Sequence, residues 1–303
     1  MFDLIGDIHG HADQLEKLLL KLGYFKKNNY YAHECRKALF VGDYIDRGPK
    51  IRETLEIVRQ MVENESAVAL MGNHEYNALC FHFQQTQGGH LREHSIKNII
   101  QHYQTLRQFH NRQEEYEDYL NWFLTLPVFY ENEWFRAVHA CWDENNINYL
   151  KATLKDNRLT DALLYQSAIK GTKLYEAIEQ TLKGKEIQLP EGVPFADKDG
   201  AIRNEIRIKW WENPVELTYR NISVIPDEKL PDTAIDMSLL SNRYYYGNEE
   251  KSVFFGHYWL NGSPSLFRDN VCCLDYSVAK SGYLAAYSHN NELKLEESKL
   301  TFV

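Results

Sequence analysis

The chain opens with MFDLIGDIHGHADQLEKL, residues 1–18. An apolar run that ends at glycine is typical of a buried strand, and leucines recur at helical spacing over residues 15–22. Asp7 and His9 therefore follow the carboxyl end of a predicted strand, which is where open α/β sheets bind their ligands. Alternate residues at a strand end can turn the same way, so we expect this carboxylate and imidazole to be able to hold one ion.

The same pattern recurs twice further along the chain. ALFVG at 38–42 and AVALMG at 67–72 are apolar runs that end at glycine, and a helical apolar stripe lies between them. Right-handed crossovers would place the three strands side by side, with their carboxyl ends at one edge of a sheet. The sequence therefore predicts an α/β fold.

Length and composition favour one main domain over residues 1–303 rather than two independent folds, because a chain of this size with 44% hydrophobic residues can bury one substantial core. The formal net charge of −9 argues against general nucleic-acid binding. No apolar run approaches the ~18 residues of a membrane span, and no signal-peptide pattern is recognisable. We expect a cytoplasmic protein without a membrane partner. The five cysteines include no CxxC pair and read as reduced thiols. The oligomeric state is not indicated.

Two polar segments interrupt the strand pattern. Residues at about 82–125 are rich in His, Gln and Tyr at helical spacing. The segment at about 145–235 is again polar and mostly helical in pattern, and it includes a loop-rich stretch that carries Pro190, Pro194, Pro214, Pro226 and Pro231. Between and after them, WFRAVHA at 134–140 and the short apolar runs SVFFG, VCCLD and YLAAYS predict a second sheet. We interpret the two segments as helical insertions that form a cap.

Metal-ligand residue types follow five of the predicted strands, in the motifs GDIHG, GDYIDRG, GNHE, VHA and GHY. The candidate ligands are Asp7, His9, Asp43, Asn73, His139 and His257. Oxygen and nitrogen ligands without thiolates suit Mn²⁺ first, with Fe, Zn²⁺ or Ni²⁺ as alternatives. Six ligands at one edge exceed the need of a single ion, so we predict two divalent ions that share a carboxylate.

The motifs GDIHG, GDYIDRG and GNHE, in this order, resemble the calcineurin-like metallophosphoesterase superfamily. Within it they are similar to the branch of phosphoprotein phosphatases and symmetrical diadenosine tetraphosphatases, and Trp259 replaces the second His of the GHxH motif found outside that branch. The resemblance implies a four-layer α/β/β/α sandwich, two sheets flanked by helices. It assigns one ion to Asp7, His9 and Asp43, and the other to Asp43, Asn73, His139 and His257.

The resemblance also implies catalytic roles. His74 would protonate the leaving oxygen while paired with Asp46, and Arg47 would bind the substrate phosphate. A carboxylate beside an imidazole favours the charged form, which keeps a proton available near neutral pH. Arg203 and Arg207 fall where the tetraphosphatases carry a second phosphate-binding arginine, and surface charges are the alternative.

The expected function is that of a dinuclear metal-dependent phosphoesterase acting on a small phosphorylated molecule, with a dinucleoside polyphosphate as the leading candidate. A serine/threonine phosphoprotein phosphatase and a non-catalytic metal-binding scaffold are the alternatives. Trp210 and Trp211 could stack on a nucleotide base or pack in the core. Histidines outside the motifs, His102 among them, are expected to be surface residues or satisfied hydrogen-bonders.

Overall fold

The computed structural model describes residues 1–85, 88–190, 192–193, 195–196, 202–240 and 244–303. The strands are β1 Phe2–Ile5, β2 Phe25–Lys27, β3 Tyr30–Ala32, β4 Lys37–Phe40, β5 Ala67–Ala69, β6 Phe129–Glu131, β7 Phe135–Val138, β8 Glu186–Gln188, β9 Phe195–Ala196, β10 Ile202–Arg203, β11 Glu205–Arg207, β12 Ser252–Phe255, β13 Val271–Cys273, β14 Asp275–Tyr276, β15 Tyr283–His289 and β16 Leu300–Phe302. The α-helices are α1 Ala12–Lys21, α2 Ile51–Glu63, α3 Asn73–His82, α4 Ile96–Gln108, α5 Gln113–Phe123, α6 Glu144–Thr153, α7 Asp161–Ser167, α8 Lys173–Lys183 and α9 Tyr219–Ile222.

Two sheets form the centre of the fold. The first has the order β14-β15-β1-β4-β5, with β16 paired to β15, and the second has the order β13-β12-β7-β6. β1, β4 and β5 are mutually parallel neighbours, as the opening pattern predicts, and β12 runs parallel to β7 and β13. The carboxyl ends of β1, β4 and β5 therefore lie together, and so do those of β7 and β12.

The strands alternate their side chains between two cores. Leu4, Leu39 and Tyr287 of the first sheet cluster with Ala137 and Phe254 of the second, which shows that the sheets pack face to face. Their sequence neighbours point the other way because the side-chain period of a strand is two. Cys272 and Cys273 follow this rule, one in each core, and both are free thiols.

Helices cover the outer faces. α1 contacts α2 and β15, and α2 contacts β5 on the first sheet. Near the second sheet, α8 contacts the loop after β7, where the carbonyl of Thr181 accepts the backbone N–H of Ala140 at 3.0 Å. The predicted sandwich of two sheets flanked by helices is confirmed. No helix in the described ranges is long and apolar enough to cross a bilayer.

The two insertions differ in structure. α4 and α5 agree with the helical prediction for about 82–125, and α6, α7 and α8 with the first part of 145–235. The long helices of the second insertion end with α8 at Gly184, whose φ is +84°, close to where the predicted loop-rich stretch begins. There the chain forms short antiparallel pairs, β8 with β11 and β9 with β10. Ile187 of β8 and Ile206 of β11 lie in a small core. Prolines in this stretch favour such a structure over a helix.

Candidate metal centre

The loops that follow the parallel strands bring the predicted ligands to one place. Asp7 and His9 follow β1, Asp43 follows β4, and Asn73 begins α3 directly after the β5 loop. His139 follows β7 and His257 follows β12, so the second sheet contributes as well. All six predicted ligands are buried, which is unusual for polar side chains unless they have partners.

Asp43 belongs to both of two groups of side chains whose atoms are close enough to hold a metal ion. One group is His9, Asp43 and His74, and the other is Asp43, His139 and His257; within each, the candidate donor atoms lie within 4.8 Å of one another. Asp43 Oδ2 is 3.6 Å from His9 Nε2, whereas Asp43 Oδ1 is 3.4 Å from His139 Nε2. One carboxylate thus faces both groups, the arrangement that a bridging ligand requires.

Asn73 and Asp7 border these groups. Asn73 Oδ1 lies 3.0 Å from His139 Nε2 and 2.7 Å from His257 Nδ1, which places the amide oxygen inside the second group. Asp7 Oδ2 accepts the backbone N–H of His257 at 3.0 Å. The structure therefore brings all six predicted ligands together across both sheets.

Three buried atoms of the centre test whether these residues suit a metal. Asp7 Oδ1, His9 Nε2 and His257 Nε2 have no hydrogen-bond partner among the described residues. Leaving a buried polar atom unpaired costs ~1–3 kcal/mol, and each of these atoms is a possible metal ligand. The Nδ1 atoms of His9 and His139 each donate to a backbone carbonyl oxygen at 2.9 Å. The unprotonated Nε2 of each ring is then the atom that can bind a metal ion. The donor set fits a pair of divalent ions.

The pKa shifts favour the metal-binding form at His9, His257 and Asp43. Burial lowers the pKa of His9 to about 3, and the charge of His74 adds to the effect. Burial, followed by the charge of Arg207, also holds the pKa of His257 well below its ordinary value. Burial alone would raise the pKa of Asp43, but the adjacent imidazoles outweigh it and hold that pKa well below its ordinary value. Neutral imidazole and ionised carboxylate are the forms that bind metal.

At two other ligands the pKa shifts act in the opposite direction. Burial raises the pKa of Asp7 well above its ordinary value. Burial alone would lower the pKa of His139, but Asp43 outweighs it and raises that pKa to about 10.

His74 is held beside this centre by Asp46. Its Nδ1 lies 2.5 Å from Asp46 Oδ2, and its Nε2 lies 3.9 Å from Asp43 Oδ2. Burial alone would lower the pKa of His74, but Asp43 and Asp46 raise it above its ordinary value. The imidazole therefore retains a proton that its Nε2 can present to the centre.

The sequence reasoning missed the other partners of Asp46. His102 Nδ1 lies 2.8 Å from Asp46 Oδ1, and the Thr105 hydroxyl lies 2.5 Å from the same oxygen. Both residues are buried and come from α4, in the first insertion. His102 is a satisfied hydrogen-bonder, as expected, but it bonds within the candidate site. No short motif marks it, because its partner is 56 residues earlier in the chain.

Glu75 is a second supporting residue that the motif analysis left without a role. Its carboxylate accepts the backbone N–H groups of Asp43 at 2.9 Å, Tyr44 at 2.8 Å and Gly72 at 3.0 Å. Burial and then the charge of Asp43 raise its pKa to about 7. Glu75 thus fixes the loop that carries Asp43. The sequence signal that could have identified it is an acidic residue directly after GNH, in the first turn of the predicted helix.

The backbone of the site is strained. His9, Asp43, Asp46, Arg47 and His257 all have positive φ, between 46° and 74°. A non-glycine residue in this region costs ~1–3 kcal/mol and persists where surrounding contacts determine it. Such strain is typical of functional loops whose side chains must face one point.

Glycines allow close approach in the same loops. A Cβ at Gly256 would lie 1.8 Å from Asp7 Oδ1, and one at Gly72 would lie 2.3 Å from Asp43 Oδ1. The carboxylates occupy the space that any other side chain would fill. These two glycines of the GHY and GNHE motifs are therefore required by the positions of the candidate ligands.

Arg47 lies at the exposed side of the centre. Its guanidinium carbon is 4.0 Å from the ring centroid of Trp259, a cation–π contact, and the Trp259 ring is 5.5 Å from that of His9. Trp259 has a φ of 54°, and its backbone N–H donates to Asp275 Oδ2 at 2.7 Å. Trp259 thus holds the arginine at the edge of the first donor group.

The other predicted substrate residues have different outcomes. Arg207 ends β11, is half-buried, and places its Nε 3.4 Å from Glu186 Oε1. Its charge lowers the pKa of His257, so it lies within electrostatic range of the second donor group. The side chain of Arg203 lies outside the described residues.

Of the two alternatives for Trp210 and Trp211, packing in the core is the one that the structure shows. Both indoles are buried, at 2% and 1% exposure, and both pack on Phe255 of β12. Trp210 Nε1 donates to the carbonyl of Ala140 at 3.0 Å. They form part of the core, since an indole with no exposed face has no surface to offer a base.

Comparisons with curated proteins give partial matches. The bis(5'-nucleosyl)-tetraphosphatase PrpE (asymmetrical) of Oceanobacillus iheyensis is 39% identical over 105 residues, which is 34% of this chain and 41% of that protein. The protein of the same name from Geobacillus sp. (strain WCH70) is 48% identical over 73 residues, 24% of this chain and 30% of that protein. The match thus spans less than half the length of these relatives.

Solved structures share the fold at low identity. A cold-active protein tyrosine phosphatase aligns with a TM-score of 0.51 and 18% identity, covering 99% of this chain and 78% of the other. A protein serine/threonine phosphatase from Saccharomyces cerevisiae aligns with a TM-score of 0.51 and 12% identity, covering 100% and 78%. At these identities the likeness shows the fold alone.

The family model described as calcineurin-like phosphoesterase matches residues 1–164, more than half of the chain. The matched part contains the loops that follow β1, β4, β5 and β7, and so most of the predicted ligands. The family expected from the three motifs is therefore confirmed, and the chain belongs to the calcineurin-like phosphoesterases.

Proposed function

We propose that the protein is a metal-dependent hydrolase that cleaves a phosphate ester or anhydride. The observation that carries the proposal is the position of Asp43, which directs one carboxylate oxygen toward each of two histidine groups. A proton-holding His74 stands 3.9 Å from the same carboxylate. Two donor groups with a shared carboxylate and an adjacent acid are what in-line phosphoryl transfer to water needs.

The six predicted ligands would hold two divalent ions, Mn²⁺ as the first choice and Fe, Zn²⁺ or Ni²⁺ as alternatives. When bound, such a pair supplies an acidified water nucleophile and offsets the negative charge of the phosphoryl group. The shared carboxylate is Asp43, and Glu75 keeps its loop in place.

The remaining steps belong to side chains of the chain itself. His74 would donate its Nε2 proton to the leaving oxygen, since Asp46 occupies its Nδ1. Arg47 would bind non-bridging phosphate oxygens with its fork of N–H donors. The amino terminus of α3, which begins at Asn73, adds a partial positive charge on the same side.

A test of the acid role compares two leaving groups. In His74→Asn, turnover of phenyl phosphate should fall by ~10²–10⁴-fold, because its leaving oxygen needs a proton. Turnover of p-nitrophenyl phosphate should fall much less, and metal analysis should still find two ions per chain. Equal losses for both substrates, or one ion per chain under saturating Mn²⁺, would contradict the proposed roles.

The substrate that we propose is a small phosphorylated molecule, with a dinucleoside polyphosphate as the leading candidate. Arg207 of the second insertion lies within electrostatic range of His257 and could hold a further phosphate. We also propose that the insertions at about 82–125 and 145–235 form a cap over the centre within a single domain. The relatives named as bis(5'-nucleosyl)-tetraphosphatases support this substrate class.

A substrate panel in Mn²⁺ tests this assignment. It compares diadenosine tetraphosphate, p-nitrophenyl phosphate and phosphoserine peptides, and the nucleotide products distinguish asymmetric cleavage (ATP and AMP) from symmetric cleavage (two ADP). Arg207→Ala should raise KM for the dinucleotide by an amount worth ~1.5–3 kcal/mol and spare p-nitrophenyl phosphate. Arg112→Ala, an exposed arginine paired with Glu115, is the control and should change neither KM.

Two outcomes would replace the assignment. The phosphoprotein phosphatase would be favoured if phosphopeptides were hydrolysed faster than any dinucleotide and Arg207→Ala changed KM for neither class of substrate. Binding of two ions without turnover of any of the three substrates would favour the metal-binding scaffold.

A further inference from the structure

Both carboxylate oxygens of Asp46 form hydrogen bonds, with residues of α3 and α4. Its Oδ2 lies 2.5 Å from His74 Nδ1, and its Oδ1 lies 2.8 Å from His102 Nδ1. The Thr105 hydroxyl contacts Oδ1 at 2.5 Å and accepts the backbone N–H of Asp46 at 3.0 Å. The first insertion, through α4, therefore surrounds the carboxylate that orients the proposed acid.

Both ring nitrogens of His102 form hydrogen bonds. An ionised carboxylate can only accept, so His102 Nδ1 donates to Asp46. His102 Nε2 lies 2.8 Å from the Tyr116 hydroxyl on α5. Burial, with the charge of Asp46 adding, raises the pKa of Tyr116 well above its ordinary value, so the phenol stays protonated and can either donate to His102 Nε2 or accept from it. Each member of the chain Tyr116–His102–Asp46–His74 therefore has a hydrogen-bond partner within it.

We propose that His102 is a positioning residue for the proton donor. It fixes the side-chain rotamer of Asp46, and thereby aims His74 Nε2 at the leaving oxygen. Asp46 needs such support because its own backbone is strained, with a φ of 66°. This inference rests on the proposed function, since it assigns α4 the role of holding the acid of that reaction.

A purely structural role predicts something different. His102 is buried, so its loss would destabilise the protein whatever its function. A structural defect lowers turnover of all substrates alike, whereas a misdirected acid lowers turnover only when the leaving oxygen needs a proton. The dependence of kcat on the leaving group separates the two.

The experiment compares His102→Leu with His102→Asn in the Mn²⁺-loaded enzyme. In His102→Leu, kcat for phenyl phosphate should fall ~10–100-fold, the usual effect of losing a supporting hydrogen bond at a functional ligand. The loss of kcat for p-nitrophenyl phosphate should be less than about threefold, with both KM values and two ions per chain retained. His102→Asn should recover most of the loss for phenyl phosphate, because its amide can still donate to Asp46.

Controls keep the inference separable from folding. His94→Leu changes a histidine of the same insertion that bonds to the carbonyl of Phe81 at 2.7 Å, and it should leave the ratio of the two kcat values unchanged. If His102→Leu does not fold, Tyr116→Phe removes only the hydroxyl that bonds to His102 Nε2 and should shift the ratio in the same direction.

Equal losses for both substrates, or no loss for either, would overturn the inference. If His74→Asn lowers kcat for phenyl phosphate more than for p-nitrophenyl phosphate, but His102→Leu and Tyr116→Phe leave the ratio of the two kcat values unchanged, only the inference fails. If the wild type hydrolyses neither of these esters, nor diadenosine tetraphosphate, nor phosphoserine peptides, the proposed function fails.

Discussion

Replacing Gly256 by alanine is the most direct perturbation of the candidate centre. The added Cβ would lie 1.8 Å from Asp7 Oδ1, whereas Cβ atoms essentially never approach another heavy atom within 3.0 Å. Asp7 or the end of β12 must therefore move by about 1.2 Å. His257 is coupled to the same movement, because its backbone N–H donates to Asp7 Oδ2 at 3.0 Å.

The size of this displacement sets the expected effect. Metal–ligand distances tolerate only ~0.2 Å, so Gly256→Ala should lose at least one of two ions per chain. A misplacement of ~1 Å costs on the order of 10²-fold in rate, or ~2.7 kcal/mol of transition-state stabilisation. The measurements are metal content after dialysis from saturating Mn²⁺ and kcat/KM for p-nitrophenyl phosphate.

Gly247→Ala is the matched control. Its Cβ would meet only Glu250 Cγ, at 3.8 Å, which is an ordinary contact, so this variant should keep two ions and wild-type activity. A Gly256→Ala protein that binds two ions and stays within about threefold of wild-type kcat/KM would refute the reasoning that Asp7 is a ligand packed against this glycine.

Two further predictions concern metal removal and Arg47. If the free metal concentration is about 100 times the Kd of one site, removing the metal by chelation should lower Tm by ~5 °C. The reason is that Asp7 Oδ1, His9 Nε2 and His257 Nε2 lose their partners. Thermal melts with and without EDTA measure it, and an unchanged Tm would argue against bound ions in the folded state. Trp259→Ala should raise KM for p-nitrophenyl phosphate ~2–5-fold at constant ion content, since an exposed cation–π contact is worth ~0.5–1 kcal/mol. A fall in kcat at constant KM, measured by steady-state kinetics, would contradict that role.

The parts of the fold that the sequence could predict are those encoded locally. Each of β1, β4 and β5 is an apolar run that ends at glycine, and the polar residue that follows occupies a defined place at the end of its strand. Parallel packing then brings the loops together without any further information, because the carboxyl ends of neighbouring parallel strands share an edge. The six candidate ligands lie together for this reason.

The features that were missed depend on tertiary packing. His102 and Thr105 meet Asp46 only because α4 packs against the loop after β4, and no spacing in the sequence encodes that contact. Trp210 and Trp211 were ambiguous because an indole serves equally well in a core or on a base until its surroundings are known. The strand pairs after Gly184 fall in the stretch that the prolines mark as loop-rich, and strands of two or three residues are too short to show an alternating pattern.

The division of the candidate ligands between two sheets has a consequence for the order of folding. Asp7 and the backbone of His257 are in contact across 250 positions of sequence, and Asn73 and His257 across 184. Contacts of such separation form late, because closing a long loop must precede the gain from the contact. The group around His9 is complete once the first seventy-five or so residues have folded, whereas the group around His257 requires the two sheets to dock. High-affinity binding of a second ion should therefore appear only in the last phase of refolding, after helical structure has already returned.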